Sequence, residues 1–140
     1  MGGDGWSQTG PYEEDLAAAF RRAQERELER DDYGFGGRAI DELWADEEWQ
    51  EFVLTGGTGT VLDQWRLIDA GADDDVAMMR PLTDREIRTW AAGGAPTREE
   101  WLDALDSGLL EYPGRGSGRC TPLYVDGRPS EIGYWGVTAD

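Results

Sequence analysis

A chain of 140 residues is long enough to bury its own core as one domain without staples. Thirty Asp and Glu stand against thirteen basic residues, every one of them Arg, giving a formal charge of −17. That balance disfavours direct binding to nucleic acid, which needs clustered cations, and disfavours anionic membrane surfaces for the same reason. With no His in the chain, the usual general base, the Ser–His and Cys–His nucleophile systems and imidazole metal ligands are all excluded.

Residues 1–10 are rich in Gly and polar side chains and read as a flexible leader, with a single globular domain over 11–140. The stretch Met1–Trp6 lacks the basic start and apolar run of a signal peptide, so a cytoplasmic location is expected. Pro11 suits the first position of a helix, and Glu13, Glu14 and Asp15 suit its first turn. Leu16, Phe20, Ala23 and Leu28 recur at helical spacing, which predicts a helix from Pro11 to Arg30, stopping before Gly34. Ile40, Leu43, Trp44, Trp49, Phe52 and Val53 predict one interrupted helix or two short ones, ended by Gly56-Gly57.

Val61, Trp65 and Leu67 fit strand alternation over Thr60–Asp69, although Val61, Trp65 and Ile68 also fit a helix face. Thr83-Asp84-Arg85-Glu86 is a capping box with Leu82 and Ile87 as its hydrophobic staple. Thr97-Arg98-Glu99-Glu100 repeats the box, and Gly108 is placed to end the helix that follows. Arg119–Val125 and Ser130–Thr138 read as strands joined by Asp126-Gly127, a hairpin signal. The whole predicts an α+β domain, with N-terminal helices and two short capped helices packed on a small antiparallel sheet that includes the C-terminal hairpin.

Few residues invite chemistry. Cys120 has no His to activate it and reads as a small core side chain. Asp73-Asp74-Asp75 lacks the alternate ligands of a calcium loop and reads as a solvated turn. Gly56-Gly57-Thr58-Gly59-Thr60 has neither the Lys of a phosphate loop nor the third Gly of a dinucleotide fingerprint. Gly114–Arg119 is locally basic and reads as a flexible lead-in to the hairpin, although its amides could hold an anion or its arginines pair with the protein's own acidic face. No catalytic residue, metal site or cofactor is expected.

One segment concentrates charge and aromatic side chains together. Asp41, Glu42, Asp46, Glu47, Glu48 and Glu51 surround Trp44 and Trp49 with no basic residue among them. Like charges one or two helical turns apart cost an isolated helix a few tenths of a kcal/mol each, so local stability does not explain them. Two readings are open: a solvated acidic face over tryptophans that belong to the core, or a protein-binding face in which acids steer a basic partner while Trp44 or Trp49 anchors the contact. In size, acidity, absence of catalytic side chains and tryptophan content, the chain resembles small acidic bacterial antitoxins and immunity proteins. The resemblance implies an inhibitor that binds and occludes a basic toxin enzyme acting on nucleic acid, such as a nuclease or a DNA ADP-ribosyltransferase. Two rival readings are a DNA mimic that engages DNA-binding proteins and a small enzyme working with carboxylates and arginines alone.

Overall fold

The structure is a computed structural model that describes residues 3–140. Along the chain run β1 (Gly5–Pro11), α1 (Leu16–Arg30), α2 (Ile40–Trp44), α3 (Glu47–Thr55), a 3-10 turn (Val61–Asp63), β2 (Arg66–Leu67), β3 (Met78–Pro81), α4 (Asp84–Trp90), α5 (Arg98–Ser107), β4 (Gly118–Val125) and β5 (Arg128–Val137). The five strands form one sheet in the order β1-β5-β4-β3-β2. The α+β reading therefore holds.

The hairpin is the centre of the sheet. Asp126 and Gly127 take φ of 50° and 75°, the pair of left-handed residues that a tight two-residue turn needs to match strand twist. On β5, Ile132 and Tyr134 face one side of the sheet and Trp135 the other, as the two-residue period of a strand requires. Gly133 and Gly136 of the same strand leave room for rings. A Cβ at Gly133 would meet the Trp101 ring at 2.8 Å, and one at Gly136 the Trp6 ring at 2.7 Å. These glycines let a tryptophan lie against the backbone on each face.

The N-terminal segment departs from expectation. Gly5–Pro11 is not a loose leader but an edge strand, paired antiparallel with β5 from Gly5 opposite Val137 to Pro11 opposite Glu131. Its own sequence carries little strand signal; the partner strand and the burial of Trp6 make it one. Pro11 consequently ends a strand instead of opening a helix, which suits an edge position. The helix starts at Leu16, where the Asp15 carboxylate accepts hydrogen bonds from the amides of Ala17 (3.1 Å) and Ala18 (3.2 Å).

The sheet is also mixed where an antiparallel one was expected. β4 and β5 are antiparallel, but β3 pairs with β4 and β2 with β3 in parallel. Parallel neighbours need a crossover, and α4 and α5 supply it between β3 and β4. Both helices begin with the anticipated capping boxes at Thr83 and Thr97, and Gly108 closes α5 in the left-handed conformation. Thr60–Asp69 divides into the 3-10 turn and the two-residue strand β2. The 40–55 region forms two short helices, of which α2 ends at Ala45 and α3 at Gly56.

Helices thus cover both faces. α1 packs Ala19, Phe20 and Ala23 on Tyr134, Ile132, Cys120 and Met79. Beyond it, α2 and α3 enclose Ile40, Leu43, Trp44, Trp49, Val53 and Leu62. On the opposite face, α4 and α5 bury Ile87, Trp101 and Leu105 against Leu123 and Trp135. No helix among the described residues is long and apolar enough to cross a membrane.

Candidate partner-binding face

The eight residues Asp41, Glu42, Trp44, Asp46, Glu47, Glu48, Trp49 and Glu51 are brought onto two consecutive helices, and the structure divides them three ways. Trp44 and Trp49 are core side chains, 7% and 0% exposed. Trp49 meets Phe35 edge-on at 5.1 Å and Trp44 at 6.3 Å, while Trp44 lies parallel to Trp65 at 6.5 Å. Neither ring can anchor a partner without the α2–α3 cluster opening, so the anchoring role expected for them is not one this arrangement permits.

Three carboxylates hold the two helices in place. Asp41 accepts from the Trp65 indole N–H at 3.0 Å and from Arg21 at 3.2 Å. The Trp65 hydrogen bond and the Arg21 pair hold its carboxyl below the ordinary range. Glu42 reaches back to the Ala39 amide at 3.1 Å. Asp46 caps α3 through the Glu48 amide at 2.9 Å and pairs with Arg38, whose hydrogen bond keeps the Asp46 carboxyl low.

Glu47, Glu48 and Glu51 remain. Each is exposed and, among the described residues, none has an ion-pair partner. Spacings of three and four residues put them on one face of α3, with the 39%-exposed Leu54 one turn beyond Glu51. Glu47 and Glu48 sit in the first turn, where the helix dipole favours them, which eases their mutual repulsion. The free acidic face is therefore the outer side of α3, half of the carboxylates first identified.

The other candidates resolve into structural roles. The Gly56–Thr60 loop wraps the chain's own anion: buried Asp63 accepts from the Thr58 amide (2.7 Å), the Thr58 hydroxyl (2.8 Å) and the Gly59 amide (3.0 Å). Burial pushes the Asp63 carboxyl up against the pull of those donors. Cys120 is buried and its thiol is pushed up to about 12 by desolvation, far from a reactive thiolate. Among the described residues no group of three or more acidic or thiol side chains is placed to hold a metal ion.

Asp74, from the acidic triplet, binds two arginines: Arg80 at 2.8 Å and Arg119 at 2.5 Å. Arg80 also clamps both Glu86 oxygens at 2.8 and 2.9 Å. The basic Gly114–Arg119 stretch thus spends Arg119 on the protein's own acid. This cluster lines a shallow hollow where partly buried carboxylates and arginines meet. Its carboxyls are held low: the Arg80 hydrogen bonds take Glu86 to about 2, and at Asp74 the two arginines outweigh the upward push of burial. Two carboxylates matched by two guanidinium groups give a strap between β3, α4 and β4.

Sequence reasoning passed over several side chains that combine apolar character with exposure. Among them Leu102, Leu109 and Tyr112 are 43%, 62% and 40% exposed. A signal existed for Leu102, which lies off the Trp101, Ala104 and Leu105 stripe of its helix. Compared with protein-family models, with curated proteins and with solved structures, the chain matches none.

Proposed function

We propose that this protein is an acidic inhibitor that binds a basic enzyme acting on nucleic acid and covers its cleft. An antitoxin or immunity protein directed at a nuclease or a DNA ADP-ribosyltransferase is the form that fits. The observation that carries the reading is where the negative charge is left over. Among the described residues eight ion pairs occupy seven of the chain's thirty carboxylates, and the outer face of α3 presents Glu47, Glu48 and Glu51 uncompensated. Retaining that much exposed like charge destabilises the compact state by self-repulsion, and its physical return is faster encounter with a cationic partner. A nucleic-acid enzyme presents such a cationic surface, because its substrate is a polyanion.

The test is capture at low salt from the native lysate, followed by purification of the retained basic enzyme and assay of its activity with and without this protein. The proposal expects stoichiometric loss of nucleic-acid turnover and rescue of cells that express the enzyme alone. A retained set of many DNA-binding proteins displaced by plain duplex DNA would contradict it in favour of a mimic, and an uninhibited enzyme would contradict it outright.

A further inference from the structure

The geometry points to a second contact surface, a groove between α5 and β1 that takes a polypeptide segment pairing apolar with cationic side chains. Three of the six exposed large apolar residues among those described, Leu102, Leu109 and Tyr112, come from the stretch running from the middle of α5 through the turn after it. Ser7, Leu102, Asp103, Leu105, Asp106 and Tyr112 line a groove of about 330 Å³. Tyr112 lies against β1: a Cβ at Gly5 would come to 3.0 Å from its ring. The turn that presents it is fixed from beneath, where the Glu111 carbonyl accepts from the Trp135 indole N–H at 3.1 Å and from Arg119 at 3.2 Å.

An exposed tyrosine is of the kind enriched among interface anchors, and Leu102 beside it in the groove lining adds apolar contact area. The charge around them selects the occupant. Asp103 and Asp106 are exposed on the rim, and no basic residue lines the groove. A second copy of this chain would bring the same carboxylates and a charge of −17 against them, which opposes self-association. A segment with a leucine-like side chain flanked by arginine or lysine satisfies both the apolar side chains Leu102, Leu105 and Tyr112 and the carboxylates Asp103 and Asp106 beside them.

This surface shares with the proposed inhibitor a cationic partner, and goes beyond it in location. α5 lies on the opposite face of the sheet from α3, so the two surfaces can be occupied at once. The experiment is a titration of the full chain with a synthetic peptide alternating leucine and arginine, read from backbone amide shifts, with the leucine–glutamate peptide as control. The expected result is saturable shifts at Ser7, Leu102, Asp106 and Tyr112 and about a tenfold weaker dissociation constant in Leu102→Ser, a change worth about 1.4 kcal/mol. Leu102 is exposed, so this variant keeps the fold, and Asp106→Asn gives an independent weakening that salt reproduces. Shifts confined to Glu47, Glu48 and Glu51 would overturn the groove while leaving the inhibitor reading standing. Equal binding of the two peptides would overturn the cationic occupant, and shifts at the groove on concentrating the protein alone would assign it to a second copy.

Discussion

Asp63 shows how a single buried acid can set a loop. Its carboxylate takes three donors from Thr58 and Gly59 and has no arginine beside it, so the Gly-rich segment folds around an internal anion. Replacing it with Ala orphans two amides, and each buried group without a partner costs about 1–3 kcal/mol. Asp63→Ala is therefore expected to lower stability by about 2 kcal/mol or more. It should also expose Gly56–Thr60 to protease, as measured by urea unfolding and limited digestion. The pH response has a definite sign. Burial raises the folded-state value above the unfolded one, so acidification through that window adds stability at this site, and the variant loses that gain.

At the scale of elements, Glu86 has the opposite sign and a larger structural reach. It caps α4 through the Thr83 amide at 2.9 Å and clamps Arg80 of β3, tying the crossover helix to the sheet. Its folded value of about 2 lies below the ordinary 4.5, so its contribution is complete above the unfolded value and is lost as pH falls from there through about 2. Glu86→Gln is expected to cost about 1 kcal/mol at neutral pH, allowing for its partial exposure. It should also flatten the acid limb of the stability profile, which thermal melts across that range would show.

These two acids mark the boundary of what the sequence discloses. The Thr83 and Thr97 boxes, Gly108 and the Asp126-Gly127 turn are local devices, encoded within four or five residues, and each is found where its pattern places it. β1 is non-local: its ladder lies on residues 131–137, more than a hundred positions away, and only Trp6 hints at burial. The parallel pairing of β3 with β4 is equally invisible, since four residues of Met-Met-Arg-Pro carry no alternation to read. At the candidate face the charge run was legible, but which acids stay free depends on Arg21, Arg38 and Trp65, brought in from other elements.

For the molecule as a whole, unpaired carboxylates and scarce cations make long-range attraction the property most open to test. The Debye length shrinks from about 30 Å at 0.01 M salt to about 8 Å at 0.15 M, so steering by exposed acids must weaken over that range. Among the described residues Glu47 and Glu48 belong to no ion pair, and reversing these exposed side chains changes charge without removing a packed one. The decisive measurement is the association rate of the wild-type protein and of the Glu47→Arg/Glu48→Arg variant with the captured basic enzyme, across that salt range. The account predicts an on-rate for the variant about tenfold slower at low salt, with a shallower salt dependence and little change in dissociation. Identical on-rates with identical salt slopes would contradict it.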